Sequence, residues 1–78
     1  MAEIWNYETI KELLYAPGLG HYFTYGLLAA RKINSVWEPV EFIHDVTTDY
    51  LLVKKMEELF NRYQLYPIHL RDAIEDML

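Results

Sequence analysis

Hydrophobic and polar positions recur along this chain with two different periods, and the changes of period mark its elements. In residues 6–15, Tyr7, Ile10, Leu13 and Leu14 fall at helical spacing, while Lys11 and Glu12 point away from them. Apolar residues three and four apart share one face of a helix. Asn6 can cap the free amides of such a helix, and Glu8 would sit in its first turn, where an acid suits the dipole. The spacing predicts a short N-terminal helix, closed by Pro17-Gly18 and followed by a pliable link at Gly20.

The period then drops to two. Phe23, Tyr25, Leu27 and Ala29 share one face of a strand over residues 21–33, rich in aromatic residues at its start. The Leu27-Leu28-Ala29-Ala30 stretch is also compatible with helix on propensity alone. Gly26 favours strand and marks a bulge or a close backbone approach. Asn34-Ser35 marks a turn. Residues 40–47 read as a second strand, with Val40, Phe42, His44 and Val46 on one face and Pro39 just ahead of it. So short a link implies antiparallel pairing, because a parallel crossover needs about a dozen residues.

Helical spacing returns in residues 50–64, where Leu52, Val53, Met56, Leu59, Phe60 and Tyr63 form an apolar stripe. A Thr or Asp among residues 47–49 is placed to cap it. Asn61 is expected to bond a backbone group near the following turn. Pro67 suits the first position of a last helix, with Leu70, Ile74 and Met77 or Leu78 facing inward. The predicted fold is α+β: an N-terminal helix, an antiparallel β-hairpin and two C-terminal helices packed on one sheet face. Residues 1–78 form a single small domain, divided into 1–20, 21–47 and 48–78. Two strands are marginal alone, so the helices must supply a second layer, and an edge-to-edge dimer would relieve the open strand edges.

Composition narrows the functional classes. The 78 residues carry seven Lys+Arg against twelve Asp+Glu, a formal net charge of −5, and no Cys. Disulfides and thiolate zinc sites are thereby excluded. The basic residues form no stripe that would displace counterions from phosphates or dock on anionic lipid, so neither nucleic acid nor membrane is an expected partner. No apolar run approaches the ~20 residues of a transmembrane helix. Met1-Ala2-Glu3-Ile4-Trp5 lacks the basic and apolar regions of a secretory signal. A cytoplasmic protein is expected.

The stretch Asp45-Val-Thr-Thr-Asp49, then Val53, Leu59-Phe-Asn61 and Leu65-Tyr-Pro-Ile-His-Leu-Arg-Asp-Ala-Ile-Glu-Asp-Met-Leu78, resembles a small uncharacterised bacterial family. Its pattern ends in Leu-x-Pro-x-His-Leu-x-Asp-x-Val/Ile-Glu-Asp-x-Leu. The resemblance covers residues 45–78, with an echo at Tyr25-Gly26. Where the family has Ser before the Pro, this chain has Tyr66, which cannot cap the helix in the same way. The resemblance implies a bacterial or bacteriophage-associated cytoplasmic protein and implies no activity.

Candidate chemistry is sparse. His69, Asp72 and Asp76 share a helical face and could hold a metal or orient a general base. Ordinary hydrogen bonding is the stronger account: His69 in a first turn can bond a neighbouring carbonyl or the Asp45 loop, and Asp72 can pair with Arg71 or Lys54. His44 reads as a half-buried, hydrogen-bonded strand residue, and His21 as solvated. No nucleophile elbow or phosphate-cradling loop is present. The expectation is therefore no enzyme, no catalytic or metal residues and no cofactor.

The rings say more. Seven Tyr, three Phe and two Trp make twelve aromatic residues, more than a thin two-layer core can cover. Tyr and Trp bury large area at low entropic cost in protein interfaces. Tyr22, Trp37, Tyr50 and Tyr66, near element ends, are the expected partner-binding rings, with Glu57 and Glu58 as acidic contacts. The reading is a small non-catalytic regulator or adaptor that binds another protein through an aromatic, mildly acidic surface, with self-association as a homodimer left open beside it. One alternative is a bacteriophage-type inhibitor of a host nucleic-acid-handling complex, similar to an anti-CRISPR protein. The other is a metal-dependent hydrolase with a site shared across a dimer.

Overall fold

Residues 6–15, expected to be helical, lie within a strand, Trp5–Ala16. The structure is a computed structural model that describes residues 4–78. The reading of Met1, Ala2 and Glu3 lies outside the described residues. Three strands come first: β1 (Trp5–Ala16), β2 (Gly20–Ile33) and β3 (Val36–Thr47). They are followed by α1 (Tyr50–Arg62), a 3-10 turn at Pro67–His69 and α2 (Leu70–Met77). The sheet is antiparallel with order β1-β2-β3. The fold remains α+β, but the expected N-terminal helix is corrected to the first strand of a three-stranded meander.

The physical reason is that residues 5–16 satisfy both periods. At period two, Trp5, Tyr7, Thr9, Lys11, Leu13 and Tyr15 share one face, and Ile10 and Leu14 fall on the other. A helix of about ten residues nucleates poorly on its own. As a strand the same residues pair with β2 in one unbroken register, from Trp5↔Arg31 to Ala16↔Gly20. Pro17-Gly18 is the hairpin turn rather than a helix stop. Leu19 N–H donates to Ala16 O at 3.1 Å, and Gly18 takes the positive φ of 82° that a type II turn needs at that position.

The β2–β3 turn is the expected Asn34-Ser35, both at positive φ (50° and 67°), the mirror-image geometry that matches strand twist. β3 begins at Val36, so Pro39 lies inside it. It sits beside the register shift between Ala29 and Ala30, on an edge strand at an irregularity, where a sheet tolerates proline. A second shift falls between Tyr25 and Leu27, where Asp45 adopts φ 51°. That bulge splits the face expected for β3. Val46 turns into the core, whereas Phe42 and His44 stack at 4.2 Å on the opposite side.

Both C-terminal helices lie against one sheet face. Asp49 caps α1, its carboxylate accepting from Leu52 N–H at 3.1 Å. Val53, Met56 and Phe60 of α1, with Leu70 and Ile74 of α2, bury Trp5, Tyr7, Leu27, Ala29 and Val46. Tyr63, expected in the stripe, is exposed instead. The Tyr7 ring meets Phe60 edge-on at 5.6 Å, and its hydroxyl donates to Leu65 O. Burial, with Glu41 adding to it, pushes that hydroxyl up to about 12.

Lengths then decide what is covered. A strand of 14 residues runs about 45 Å at ~3.3 Å per residue. A helix of 13 residues runs only about 20 Å. The β1–β2 hairpin therefore extends well past the helical layer, and the molecule is elongated, 50 × 24 × 18 Å.

Gly26 is required on the uncovered face. A Cβ there would lie 2.6 Å from Ile43 O and 2.8 Å from both a Glu12 carboxylate oxygen and the Phe42 ring. Gly26→Ala should destabilise the fold by about 1–3 kcal/mol, the usual range for overpacking, read as a lowered urea midpoint with an unchanged slope.

Candidate functional site

Edge strands expose unpaired N–H and C=O groups, and proteins cover them. Here α1 covers the proximal half of the outer edge of β1 with side chains. Trp5 N–H donates to Gln64 Oε1 at 2.9 Å, and Gln64 Nε2 donates back to Trp5 O at 3.0 Å. Tyr7 N–H donates to Asn61 Oδ1 at 2.7 Å, and Asn61 Nδ2 returns a bond to Tyr7 O at 2.9 Å. Thr9 N–H donates to Glu57 Oε1 at 2.7 Å. Glu57 and Asn61 are four apart on a helix, about 6 Å of rise, while Thr9 and Tyr7 are two apart on a strand, about 6.6 Å. The two repeats nearly coincide, so consecutive polar side chains of α1 meet consecutive outward groups of β1.

The series is completed at the helix end. Leu65 N–H reaches Phe60 O at 3.0 Å and Gln64 N–H reaches Asn61 O at 3.3 Å, a Schellman pattern with Gln64 at φ 50°. The left-handed position turns the Gln64 amide onto Trp5. Glu57 is also held by Lys54 at 2.7 Å. Burial acts to raise the Glu57 carboxyl, but the hydrogen bonds from Lys54 and Thr9 outweigh it and hold the group below its ordinary range. The same hydrogen bond raises Lys54.

Beyond Thr9 the plug stops. The backbone groups of Lys11, Leu13 and Tyr15 point to the same outer side as those of Trp5, Tyr7 and Thr9, because outward groups alternate along a strand. Among the described residues no side chain meets them there. The helix-side face of this segment is apolar and open. Leu13 is 57% exposed, Tyr15 64%, Phe23 56% and Leu19 68%. Lys11 Nζ lies over the Phe23 ring at 4.3 Å, and Tyr15 meets His21 edge-on at 5.3 Å. Tyr25 and Tyr50, 5.4 Å apart, border the strip where α1 begins. The other sheet edge differs, since β3 carries Pro39, two register shifts and the left-handed Asp45.

Polar contacts brace the reverse face of the same hairpin. His44 Nδ1 and Glu12 Oε2 are 2.7 Å apart, and Glu12 Oε1 accepts from Asp45 N–H at 3.0 Å. Thr24 Oγ1 lies 2.7 Å from Asp45 Oδ1 and 3.1 Å from Thr47 O, and Tyr22 donates to Asp45 Oδ2 at 3.2 Å. Desolvation, then the hydrogen bond and charge of Asp45, raise the Tyr22 hydroxyl. An exposed imidazole oriented by a carboxylate has the makings of a general base. Both neighbouring hydroxyls are committed to Asp45, however, so the cluster fastens the bulge of β3 to the hairpin.

A family model matches residues 2–78, that of the family of unknown function DUF6514. The chain belongs to DUF6514. No curated protein and no solved structure matches it. Among the described residues no helix is long and apolar enough to cross a membrane.

In this DUF6514 chain the residues expected to bind a partner do not share one surface. Tyr22 lies on the reverse face at Asp45, and Trp37 lies at the far end of β3 near Lys32, whose ammonium is 5.8 Å from its ring. Tyr66 meets Trp5 edge-on at 5.9 Å at the opposite end of α1 from Tyr50. Glu57 is committed to the plug, while exposed Glu58 pairs with Arg62 at 2.7 Å. His69, Asp72 and Asp76 are exposed, and among the described residues no three His, Asp or Glu side chains gather as metal ligands. Asn61 bonds a backbone group as expected, but on β1 rather than at the inter-helix turn. Sequence reasoning missed Leu13, Tyr15 and Phe23 as one strip. The alternation of Leu13 and Tyr15 ahead of Pro17-Gly18 was the available signal.

Asn61→Ala strands both polar groups of buried Tyr7 and should cost about 1–3 kcal/mol, measured by urea unfolding. Glu57 contributes stability that is present above its unfolded pKa and is lost as pH falls through its lowered folded value. Glu57→Gln should therefore be less stable at neutral pH and show a shallower loss of stability on acidification through the carboxylate range, near pH ~4.

Proposed function

We propose that the chain is a small non-catalytic binding module, a regulator or adaptor, that takes an extended protein strand along residues 11–16 of β1. One observation carries this reading. The outer edge of β1 is closed by Glu57, Asn61 and Gln64 as far as Thr9 and is open beyond it, beside exposed Leu13 and Tyr15. Strand addition draws affinity from main-chain hydrogen bonds and selectivity from side chains at alternate positions. The open segment offers both: outward backbone groups at Lys11, Leu13 and Tyr15, and an aromatic strip that includes Phe23. Tyr50 is the residue of the sequence-based surface that borders it, at 50% exposure.

Chemistry of the chain's own plays no part in this reading. The oriented imidazole of His44 fastens the hairpin that carries the edge, and the acidic balance serves solubility.

Leu13→Pro removes the central outward N–H without touching the ladder to β2, and Leu13→Glu places a charge in the strip. Leu13→Glu should stay within about 0.5 kcal/mol of wild type, as surface changes do, and Leu13→Pro, at an outward N–H of an edge strand where proline is tolerated, should keep the wild-type circular dichroism spectrum. Used as bait in an extract of its source cells, wild-type protein should retain partners that both variants lose. Equal capture by all three, of foreign proteins and of untagged copies of this chain alike, would refute strand addition at this edge.

A further inference from the structure

We propose that the strand received at this edge is β1 of a second copy, paired antiparallel about a two-fold axis at Leu13. The inference rests on the strand-addition reading and names its partner.

The register follows from the residues. With Leu13 opposite its own copy, Lys11 faces Tyr15 of the second molecule and Tyr15 faces Lys11. Every outward backbone group left open beyond Thr9 then meets a counterpart. The ladder also ends cleanly on both sides. Thr9 falls opposite Pro17, the one amide being already bonded to Glu57 and the other residue having no N–H to offer. The plug on one molecule thus begins where the strand of the other turns away.

Neighbouring registers are worse. Centring on Lys11 sets two ammonium groups face to face, and centring on Glu12 sets two carboxylates face to face, the like-charge pairs that destabilise a sheet. Both also push the partner strand onto the plugged segment. Centring on Leu14 leaves Lys11 opposite Pro17 and loses bonds at each end. Only the pairing at Leu13 places Lys11 over an aromatic ring, the environment it already has beside Phe23 at 4.3 Å.

A two-fold axis normal to the sheet keeps the helical layers of both copies on one face. Between them lies a floor of Leu13, Tyr15 and Phe23 from each molecule. Isologous contacts of this kind are the commonest route to closed dimers. The rival apolar positions, Ile68 and Leu78, present no open backbone edge.

The test uses the full chain. Sedimentation equilibrium should give twice the 9.4 kDa protomer mass for wild type. Leu13→Pro and Leu13→Glu should give the protomer mass with wild-type circular dichroism. The chain has no cysteine, so Leu13→Cys, Ile33→Cys and Ile68→Cys each carry one thiol. A short bis-maleimide should cross-link Leu13→Cys to dimer with high yield and the other two weakly. A wild-type monomer at every soluble concentration, or cross-linking that peaks at Ile68→Cys, would overturn self-pairing. If the monomer still captures a foreign partner that Leu13→Pro loses, self-pairing falls and strand addition stands. If capture is indifferent to Leu13→Pro as well, both fall.

Discussion

Four residues of helix and two residues of strand advance by nearly the same distance, and this structure depends on that coincidence. It lets Glu57 and Asn61 follow the outward groups of Thr9 and Tyr7 as a neighbouring strand would. The left-handed turn at Gln64 extends the match to Trp5 after the helix has ended. The contacts hold α1 at a definite height along β1, and the apolar stripe beneath it does the burying. Neither would suffice alone: burial is indifferent to a small slide along the strand, whereas unpaired backbone groups are not.

Once α1 is fixed in this way, its shortness decides the rest of the surface. The side-chain plug ends at Thr9 and the helical layer near Tyr25, opposite Lys11, and the hairpin continues past both with Leu13, Tyr15 and Phe23 uncovered. Such a projection would bend if the sheet were merely a ribbon. The Glu12, His44, Asp45 and Thr24 contacts on the reverse face tie β1, β2 and the bulge of β3 together across the one place where Gly26 lets them approach. An open edge held rigid pays less ordering entropy when a strand is added, which is why this brace belongs to the functional reading.

Much of the fold was legible because its signals are local. Asn34-Ser35 announces a tight turn, the Thr and Asp of residues 47–49 a helix cap that the structure assigns to Asp49, and Pro67 a helix start, and each needs only its immediate neighbours. The α1 stripe is read from spacing alone, and Val53, Met56 and Phe60 are indeed buried. The helical reading of residues 6–15 fails because Tyr7, Ile10, Leu13 and Leu14 satisfy a helix while Trp5, Tyr7, Leu13 and Tyr15 satisfy a strand. The candidate surface is misjudged for the same reason, since the helical reading puts Leu13 on a helix face and judges the rings by position near element ends.

By itself, then, the sequence determined the α+β class, the antiparallel pairing of β2 with β3, the two C-terminal helices and their buried stripes. All of these are set by interactions within a few residues or by periodicity. Tertiary structure alone decided that β1 is a strand, because that choice is settled by a partner strand rather than by its own pattern. It also decided that Glu57, Asn61 and Gln64, ordinary polar helix residues in sequence, close an edge 48 to 59 residues away. Contacts so distant leave no local mark, since the helix repeat and the strand repeat meet only after both have formed.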